Sequence, residues 1–238
     1  MNLSFSRMRR VWKIQHVVRK YGLSEFFGRE PGQHSRPRGE RLRLALEELG
    51  PVFVKLGQAL STRPDVVPAD LAVELAKLQD QVPPFPGEQA KAIVEKSLGR
   101  KLEDVFSEFD LTPMASASVA QVHAARMKPV AADDPGLAVV VKVLRPGIEA
   151  VINSDIQLLH TLADLAERFS EDARRIRPRA IVAEYEKIIL DELDLMREGA
   201  NASLLRRNWL GSDLIYHPAV LWDYTRQDVL VMERIHGI

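Results

Sequence analysis

The chain has 238 residues, of which 46% are hydrophobic, and its 33 Lys and Arg are balanced by 33 Asp and Glu. This zero net charge argues against a nucleic-acid partner, and the absence of cysteine excludes disulfide bonds and thiolate metal sites. No apolar run approaches the roughly 18–20 residues of a membrane span, and Lys13 interrupts the first apolar stretch too early for a signal peptide. We therefore expect this chain to be soluble or peripheral to a membrane.

Residues 1–38 are predicted to form a basic amphipathic helix and a linker. Residues 1–43 contain eleven Lys and Arg but three acids, a net charge of +8 that leaves −8 on the rest of the chain. Residues 5–21 have the period of a helix, and residues 28–38 are rich in Pro, Gly and Arg. The helix has an apolar stripe among basic residues, formed by Val11, Ile14, Val18 and Tyr21, with Trp12 beside it. Two alternatives remain open: the helix lies on an anionic lipid surface, or it packs its stripe on the same protein.

Residues 39–100 are predicted to form a helical extension. One of its helices contains Lys55, Gly57 and Gln58. A glycine inside a helix costs roughly 1 kcal/mol relative to alanine, so Gly57 indicates that another backbone or a ligand comes close. The predicted helices are about 40–49, from Pro51 onwards, from Pro68 to about Gln81, and 87–98.

Short strands become frequent in residues 101–238. Residues 114–126 are typical of a strand, a turn of small residues and a second strand, and residues 137–146 of a valine-rich third strand. The third strand contains Lys142. A lysine in a buried strand is costly unless its ammonium has a partner, although it can also extend to solvent at a strand end.

The remaining elements are predicted to be helices followed by two strands. Asp191, Glu192, Asp194 and Glu198 crowd two turns of a long helix, where like charges repel each other. They form a solvated acidic face or, because leucines surround them, a half-buried group that needs cations. The predictions are a helix at 148–169, a charged linker at 171–179, the long helix at 180–208, and strands at about 214–222 and 228–234.

This order of elements is that of the N-terminal lobe of a protein kinase. We therefore predict an α+β fold in which residues 101–238 form a lobe with an antiparallel sheet of about five strands and a long helix. Kinases carry a glycine loop with the pattern G-x-G-x-x-G-x-V before the strand lysine. Residues 115–122 here are A-S-A-S-V-A-Q-V, so alanines stand at the three glycine positions.

From about Gly39 onwards, the sequence resembles the UbiB family of atypical kinase-like proteins, which is linked to ubiquinone biosynthesis. The resemblance includes a Lys-x-Gly-Gln motif, an alanine-rich loop and a Glu-x-Asp motif. The matching stretches are F-V-K-L-G-Q-A-L-S-T-R-P-D (53–65), L-Q-D-Q-V-P-P-F (78–85), A-S-A-S-V-A-Q-V-H-A-A (115–125), V-V-V-K-V-L-R-P-G-I (139–148) and D-E-L-D-L-M-R-E-G-A-N (191–201).

The resemblance implies three groups of site residues. Lys142 and Glu198 are the catalytic pair, in which the lysine contacts nucleotide phosphates and the glutamate holds the lysine. The nucleotide-binding residues, besides Lys142, are Ala115, Ser116, Ala117, Ser118 and Val119. The regulatory residues, which fold over the cleft and block a protein substrate, are Lys55, Gly57, Gln58, Glu192 and Asp194.

The resemblance also implies ATP and Mg²⁺ as cofactors of the whole protein, and a place on the cytoplasmic side of the bacterial inner membrane. The implied partners are the membrane lipid surface and ubiquinone-biosynthesis proteins or quinone precursors. From the charges alone, Lys55 offers a cation to the acids at Glu192 and Asp194, and we expect these residues to meet.

The catalytic aspartate and asparagine and the metal-binding aspartate of a kinase belong to the C-terminal lobe, which would follow Ile238. We therefore expect an N-terminal fragment with no metal site in these residues and no turnover by itself. The alternative is a non-catalytic, pseudokinase-like scaffold or lipid-binding regulator, in which Lys142 and Glu198 are mainly structural.

Overall fold

The structure is a computed structural model that describes residues 5–23, 35–63, 65–78, 82–131, 134–169 and 171–236. Most of the predicted linker at 28–38 therefore lies outside the described residues. The chain divides into two compact units, one of residues 1–80 and 150–189 and the other of residues 81–149 and 190–238.

The described elements alternate between a helical unit and a unit built on a sheet. The helices are α1 (Phe5–Lys20), α2 (Arg38–Leu49), α3 (Pro51–Ser61), α4 (Ala69–Leu75), α5 (Gly87–Leu98), α6 (Leu102–Val105), α7 (Ile148–Phe169), α8 (Glu171–Ile176), α9 (Pro178–Asp191) and α10 (Leu195–Asn208). The strands are β1 (Phe106–Ser116), β2 (Ala120–Met127), β3 (Ala138–Leu144) and β4 (Val229–Glu233). Among these residues, no helix is both long and apolar enough to cross a bilayer.

The first unit is helical, and α2, α3 and α4 enclose one apolar cluster. Gly50 has a φ of 107°, which an L side chain rarely adopts, so it separates α2 from α3. Pro51 then begins α3, as predicted. The buried members of the cluster are Val54, Val67, Leu71, Leu75 and Leu78.

The N-terminal helix α1 packs on the first unit. The Arg10 guanidinium donates to both carboxylate oxygens of Asp155, at 2.6 and 2.5 Å, and Asp155 is 1% exposed. Val17, about two turns after Arg10 on the same side of α1, is fully buried. Trp12 is 66% exposed. The structure thus favours packing of the apolar stripe on the same protein, with Lys13, Arg19 and Lys20 left exposed.

The second unit contains a four-stranded antiparallel sheet in the order β1-β2-β3-β4. Side chains alternate between the faces of a strand, and Val139, Val141 and Val143 all point into a core that α5 and α6 cover. Val229 and Val231 extend this core from β4. The α+β class with an antiparallel sheet is confirmed.

Three details of the prediction are wrong. The described residues give four strands rather than about five, because residues 214–222 make only an isolated bridge at Val220. Pro218 lies in that segment and cannot donate to a strand ladder. The long helix predicted at 180–208 is two helices, because the chain turns between α9 and α10. The linker predicted at 171–179 also contains the short helix α8.

Candidate functional site

Lys142 lies in the middle of β3 and faces away from the core. Its neighbours Val141 and Val143 are fully buried on the core side, so strand alternation places the Lys142 side chain on the opposite face. There its Nζ donates to both carboxylate oxygens of Glu198, at 2.6 and 2.8 Å. The two side chains are 25% and 43% exposed. The structure therefore brings the two predicted catalytic residues together at a solvent-accessible face of the sheet.

Glu198 is placed by the start of α10. Asp194 caps this helix by accepting a hydrogen bond from the Met196 backbone N–H at 3.1 Å, and Glu198 follows in the first turn. A carboxylate is favourable at this end because the helix dipole is positive there. The backbone N–H of Leu195 also donates to the Gln227 carbonyl at 2.9 Å, which ties the helix start to the turn before β4.

Gly199 sets the close approach of α10 to the sheet. A Cβ at this position would lie 3.2 Å from a methyl carbon of Leu230 and 3.3 Å from the Trp222 ring. Leu230 is the β4 residue paired with Lys142. Gly199 therefore lets α10 pack directly beside Lys142, and the sequence analysis did not identify it. Its position immediately after Glu198 was the only available signal.

The acidic residues near Glu198 do not share one helical face. Because α9 ends at Asp191 and α10 begins at Leu195, the single long helix that was predicted to contain them is interrupted. Asp191 instead forms an ion pair with Arg197, and Asp194 serves as the cap of α10. Aspartate is among the preferred N-cap residues. Asp194 was therefore the sequence feature that indicated a new helix start at Leu195.

The alanine loop, residues 115–119, consists of the end of β1 and the turn that leads to β2. The Ala117 backbone N–H donates to the Ala120 carbonyl at 2.8 Å, which closes the turn. Ser118 is fully buried and Val119 is 6% exposed. Ala115 pairs with Val122, which in turn pairs with Lys142. Ala115, at the start of the predicted nucleotide loop, and Lys142 therefore lie in one row of the sheet, on β1 and β3, with Val122 of β2 between them.

Arg145, directly after β3, makes several contacts to the alanine loop that the sequence analysis missed. Its Nε donates to the Ala117 carbonyl at 2.9 Å, and its Nη2 donates to Ser116 Oγ at 2.7 Å. Its backbone N–H donates to the Val119 carbonyl at 2.8 Å. The only signal in the sequence was an arginine immediately after an apolar strand.

A short segment at residues 82–85, here called the strap, runs beside the loop. Ser116 Oγ donates to the Val82 carbonyl at 2.8 Å. The buried Gln121 side chain accepts from the Phe85 N–H at 3.1 Å and donates to the Phe85 carbonyl at 3.3 Å. The strap is thus held along its length by side chains of β1 and β2.

His123 supports Gln121 from the next inward position of β2. Its Nδ1 donates to the Asp110 carbonyl at 2.7 Å, and its Nε2 accepts from the Gln121 amide at 2.8 Å. These partners require the neutral ring, since Nε2 must be free of a proton to accept. Burial lowers the pKa of His123, which agrees with that state.

The predicted regulatory residues of the extension lie on α3 in the first unit. Gln58 donates to the Leu78 carbonyl at 3.0 Å. A Cβ on Gly57 would lie 2.4 Å from a Leu78 methyl carbon and 2.8 Å from one of Leu46. Gly57 therefore allows close packing of α3 on its own unit. Lys55 belongs to this unit, whereas Glu192 and Asp194 belong to the second, and their meeting stays a prediction.

The described residues contain no group of three or more His, Asp or Glu side chains placed to hold a metal ion. The chemistry that the site offers is one oriented ammonium, from Lys142, on the sheet whose first turn is the alanine loop. An ammonium and backbone N–H groups are the donors that proteins use for phosphate.

A family model described as the ABC1 atypical kinase-like domain matches residues 77–238. A "Probable protein kinase UbiB" of Marinobacter nauticus is 60% identical over 201 residues, which cover 84% of this chain and 36% of the relative. One of Pseudomonas aeruginosa is 52% identical over 251 residues, which cover 97% and 46%. This chain thus spans less than half the length of these curated relatives.

A solved structure shows the same fold. It is the complex of Rv3197 with erythromycin from Mycobacterium tuberculosis, 27% identical, with a TM-score of 0.56 over 81% of this chain and 47% of that one. The family model, which matches residues 77–238, includes the whole sheet unit.

Proposed function

Because this chain belongs to the UbiB family of ABC1 atypical kinase-like proteins, we propose that it forms the nucleotide-binding part of an atypical kinase or ATPase that supports ubiquinone biosynthesis. The observation that carries the proposal is the contact of Lys142 with both oxygens of Glu198. In protein kinases a glutamate of the helix holds the strand lysine in this way, so that the ammonium meets the nucleotide phosphates.

The alanine loop supports the same proposal. Like the kinase glycine loop, it lies between the first two strands, and Lys142 lies on β3, the strand paired with β2. Alanine disfavours positive φ and keeps the backbone further from a phosphate than glycine does. We therefore expect this loop to bind the nucleotide with a geometry that differs from that of an ordinary kinase.

ATP with Mg²⁺ is the proposed ligand. When bound, Mg²⁺ would neutralise part of the phosphate charge. The residues of this chain would hold the nucleotide through the Lys142 ammonium and the backbone N–H groups of the alanine loop. Glu198 orients Lys142, because both of its carboxylate oxygens accept from the ammonium.

The test is equilibrium binding of a fluorescent ATP analogue, with Mg²⁺, to the full-length protein. We expect Lys142→Ala to weaken binding at least tenfold and to abolish ATP hydrolysis. The matched control is Lys91→Ala, which removes a lysine of another glutamate pair, with Glu103 at 2.8 Å. Equal affinity and equal hydrolysis in wild type and Lys142→Ala would contradict the proposal and favour a non-catalytic scaffold.

The helical extension is proposed to be inhibitory, with Lys55 neutralising Glu192 and Asp194. The support is the family resemblance of the Lys-x-Gly-Gln motif and its location on a well-packed helix, where Gln58 is held by Leu78. Replacement of Lys55 by Ala should change the melting temperature and nucleotide affinity; no change in either would contradict this inhibitory role.

We also propose that the 238 residues have no turnover by themselves.

The outer face of α1 is proposed to contact an anionic membrane surface. Trp12, Lys13 and Arg19 are exposed on this face, while Val17 packs inwards. A basic helix with an exposed aromatic ring suits a lipid interface. Flotation with vesicles containing phosphatidylglycerol should be weakened by Lys13→Glu with Arg19→Glu. The charge-matched control, Lys96→Glu with Arg207→Glu, changes exposed residues of the second unit; equal flotation of both variants would overturn this role.

A further inference from the structure

We propose that Arg145 is a positioning residue that fixes the alanine loop in the position from which it meets a nucleotide. This inference rests on the proposed nucleotide-binding function and deepens it. The Arg145 guanidinium donates to the loop and to the strap. Arg145 would therefore act on a bound nucleotide through the position of the loop.

The Arg145 side chain contacts both the alanine loop and the strap. The Arg145 guanidinium donates to the Ala117 carbonyl, to Ser116 Oγ and, at 3.3 Å, to the Val82 carbonyl of the strap. It also lies over the Phe85 ring, 5.6 Å from the centroid. Since Ser116 Oγ donates to the same Val82 carbonyl, the arginine, the loop and the strap form one connected network.

The network lies on the face of the sheet opposite to Lys142. Ser116 pairs with Gln121, and Gln121 pairs with Val143, so these three residues share the face that points to the core. Arg145 follows Val143 by two positions and lies on the same side. Lys142 precedes Val143 by one position and points the other way, towards Glu198.

This placement fixes the turn between β1 and β2 from one side. Arg145 draws the Ala117 carbonyl towards the core face. The guanidinium therefore holds the Ala117 peptide on the core side of the turn, and Ser118, the next residue, is fully buried there.

The requirement is for an arginine rather than for any cation. A guanidinium has donors in a rigid fork, so Nε and Nη2 can hold a carbonyl and a hydroxyl at the same time. A lysine in this place would offer a compact ammonium at the end of a flexible stem. The loop would then lose at least one of its two contacts.

The test compares Arg145→Met and Arg145→Lys with wild type in the full-length protein. Hydrogen exchange of peptides that contain the alanine loop and the strap is measured without nucleotide, and affinity for the ATP analogue is measured separately. We expect Arg145→Met to speed exchange in both segments at least fivefold and to weaken binding about tenfold. Arg145→Lys should fall between Arg145→Met and wild type in both measurements.

The matched control is Arg126→Met. Arg126 lies on β2 of the same sheet and donates to a different loop carbonyl, that of Gly136, at 3.0 Å. This variant should leave exchange in the alanine loop and the nucleotide affinity unchanged. A general loss of stability would affect both arginine variants alike, whereas a positioning role affects Arg145 alone.

Three outcomes would decide the inference. Unchanged exchange of the alanine loop in Arg145→Met would overturn it. Faster exchange with unchanged nucleotide affinity would overturn the link between loop position and nucleotide. If Lys142→Ala binds the analogue as wild type does, the proposed function fails instead, and faster exchange in nucleotide-free Arg145→Met would still support the loop-holding role.

Discussion

Lys142 Nζ lies 2.6 and 2.8 Å from the two carboxylate oxygens of Glu198, a residue 56 positions further along the chain. Neither residue is deeply buried. Exposed ion pairs typically contribute up to about 1 kcal/mol to stability. A pair of this kind is therefore better suited to orienting an ammonium than to holding the fold together.

The first prediction concerns the replacement of Glu198 by Gln. We expect the free energy of unfolding to change by about 1 kcal/mol or less, while affinity for the ATP analogue falls about tenfold because Lys142 is no longer oriented. Urea denaturation and equilibrium binding measure the two effects. Glu103→Gln, which neutralises another lysine partner, serves as the control and should leave affinity unchanged. A large loss of stability with normal affinity would show that the pair is structural.

The second prediction concerns the close packing of α10 on β4. Gly199→Leu places a side chain where even a Cβ would be 3.2 Å from Leu230. Such overpacking typically costs about 1–3 kcal/mol. Because Leu230 is paired with Lys142, we also expect weaker nucleotide binding. The neighbouring Ala200 is exposed on the same helix, so Ala200→Leu should change stability by about 0.5 kcal/mol or less. Similar losses in both variants would contradict the packing role of Gly199.

The third prediction concerns the attachment of α1. Arg10→Met leaves the Asp155 carboxylate buried without its cation, and breaking a buried pair in this way costs about 3–5 kcal/mol. Burial already raises the pKa of Asp155 against the effect of Arg10. Lys20→Met removes an exposed pair with Glu48 on the same helix and should cost little. If denaturation shows no difference between the two variants, α1 is not held by this contact.

The fourth prediction concerns pH. Burial lowers the pKa of His123 in the folded protein, while in the unfolded chain it is about 6.5. As pH falls below that value, the unfolded chain takes up a proton first, so stability present at neutral pH is progressively lost. We expect wild type to lose more stability between about pH 7.5 and 5.5 than His123→Gln does, since other groups titrate equally in both. Parallel stability curves for the two proteins would contradict this.

Elements with a strong hydrophobic period were predictable from the sequence. Helix α7 has the predicted bounds of 148–169, and α5 those of 87–98. The boundary between α9 and α10 was not predictable from the same pattern, because the apolar period continues through a segment in which Asp194 caps a new helix. Likewise, Pro218 excludes a regular strand from a segment whose apolar residues favour one.

The site was predictable only in part. Lys142 was identified from the cost of a charge in a valine-rich strand, but its partner Glu198 came from the family resemblance. Arg145, Gly199 and Gln121 had no distinctive local signal. Each acts through contacts to residues at least twenty positions away: Arg145 to Ala117, Gly199 to Leu230, and Gln121 to Phe85.

The sequence alone therefore determined the kinase-like order of elements, the strand that contains Lys142 and the loop of alanines, because these depend on residue type and on short-range periodicity. The tertiary structure decided that α10 starts at Leu195 and lies against Leu230, and that Arg145 holds the alanine loop from the core face of the sheet. Those relationships depend on which residues meet across strands and between a helix and a sheet, and local pattern does not encode such pairings.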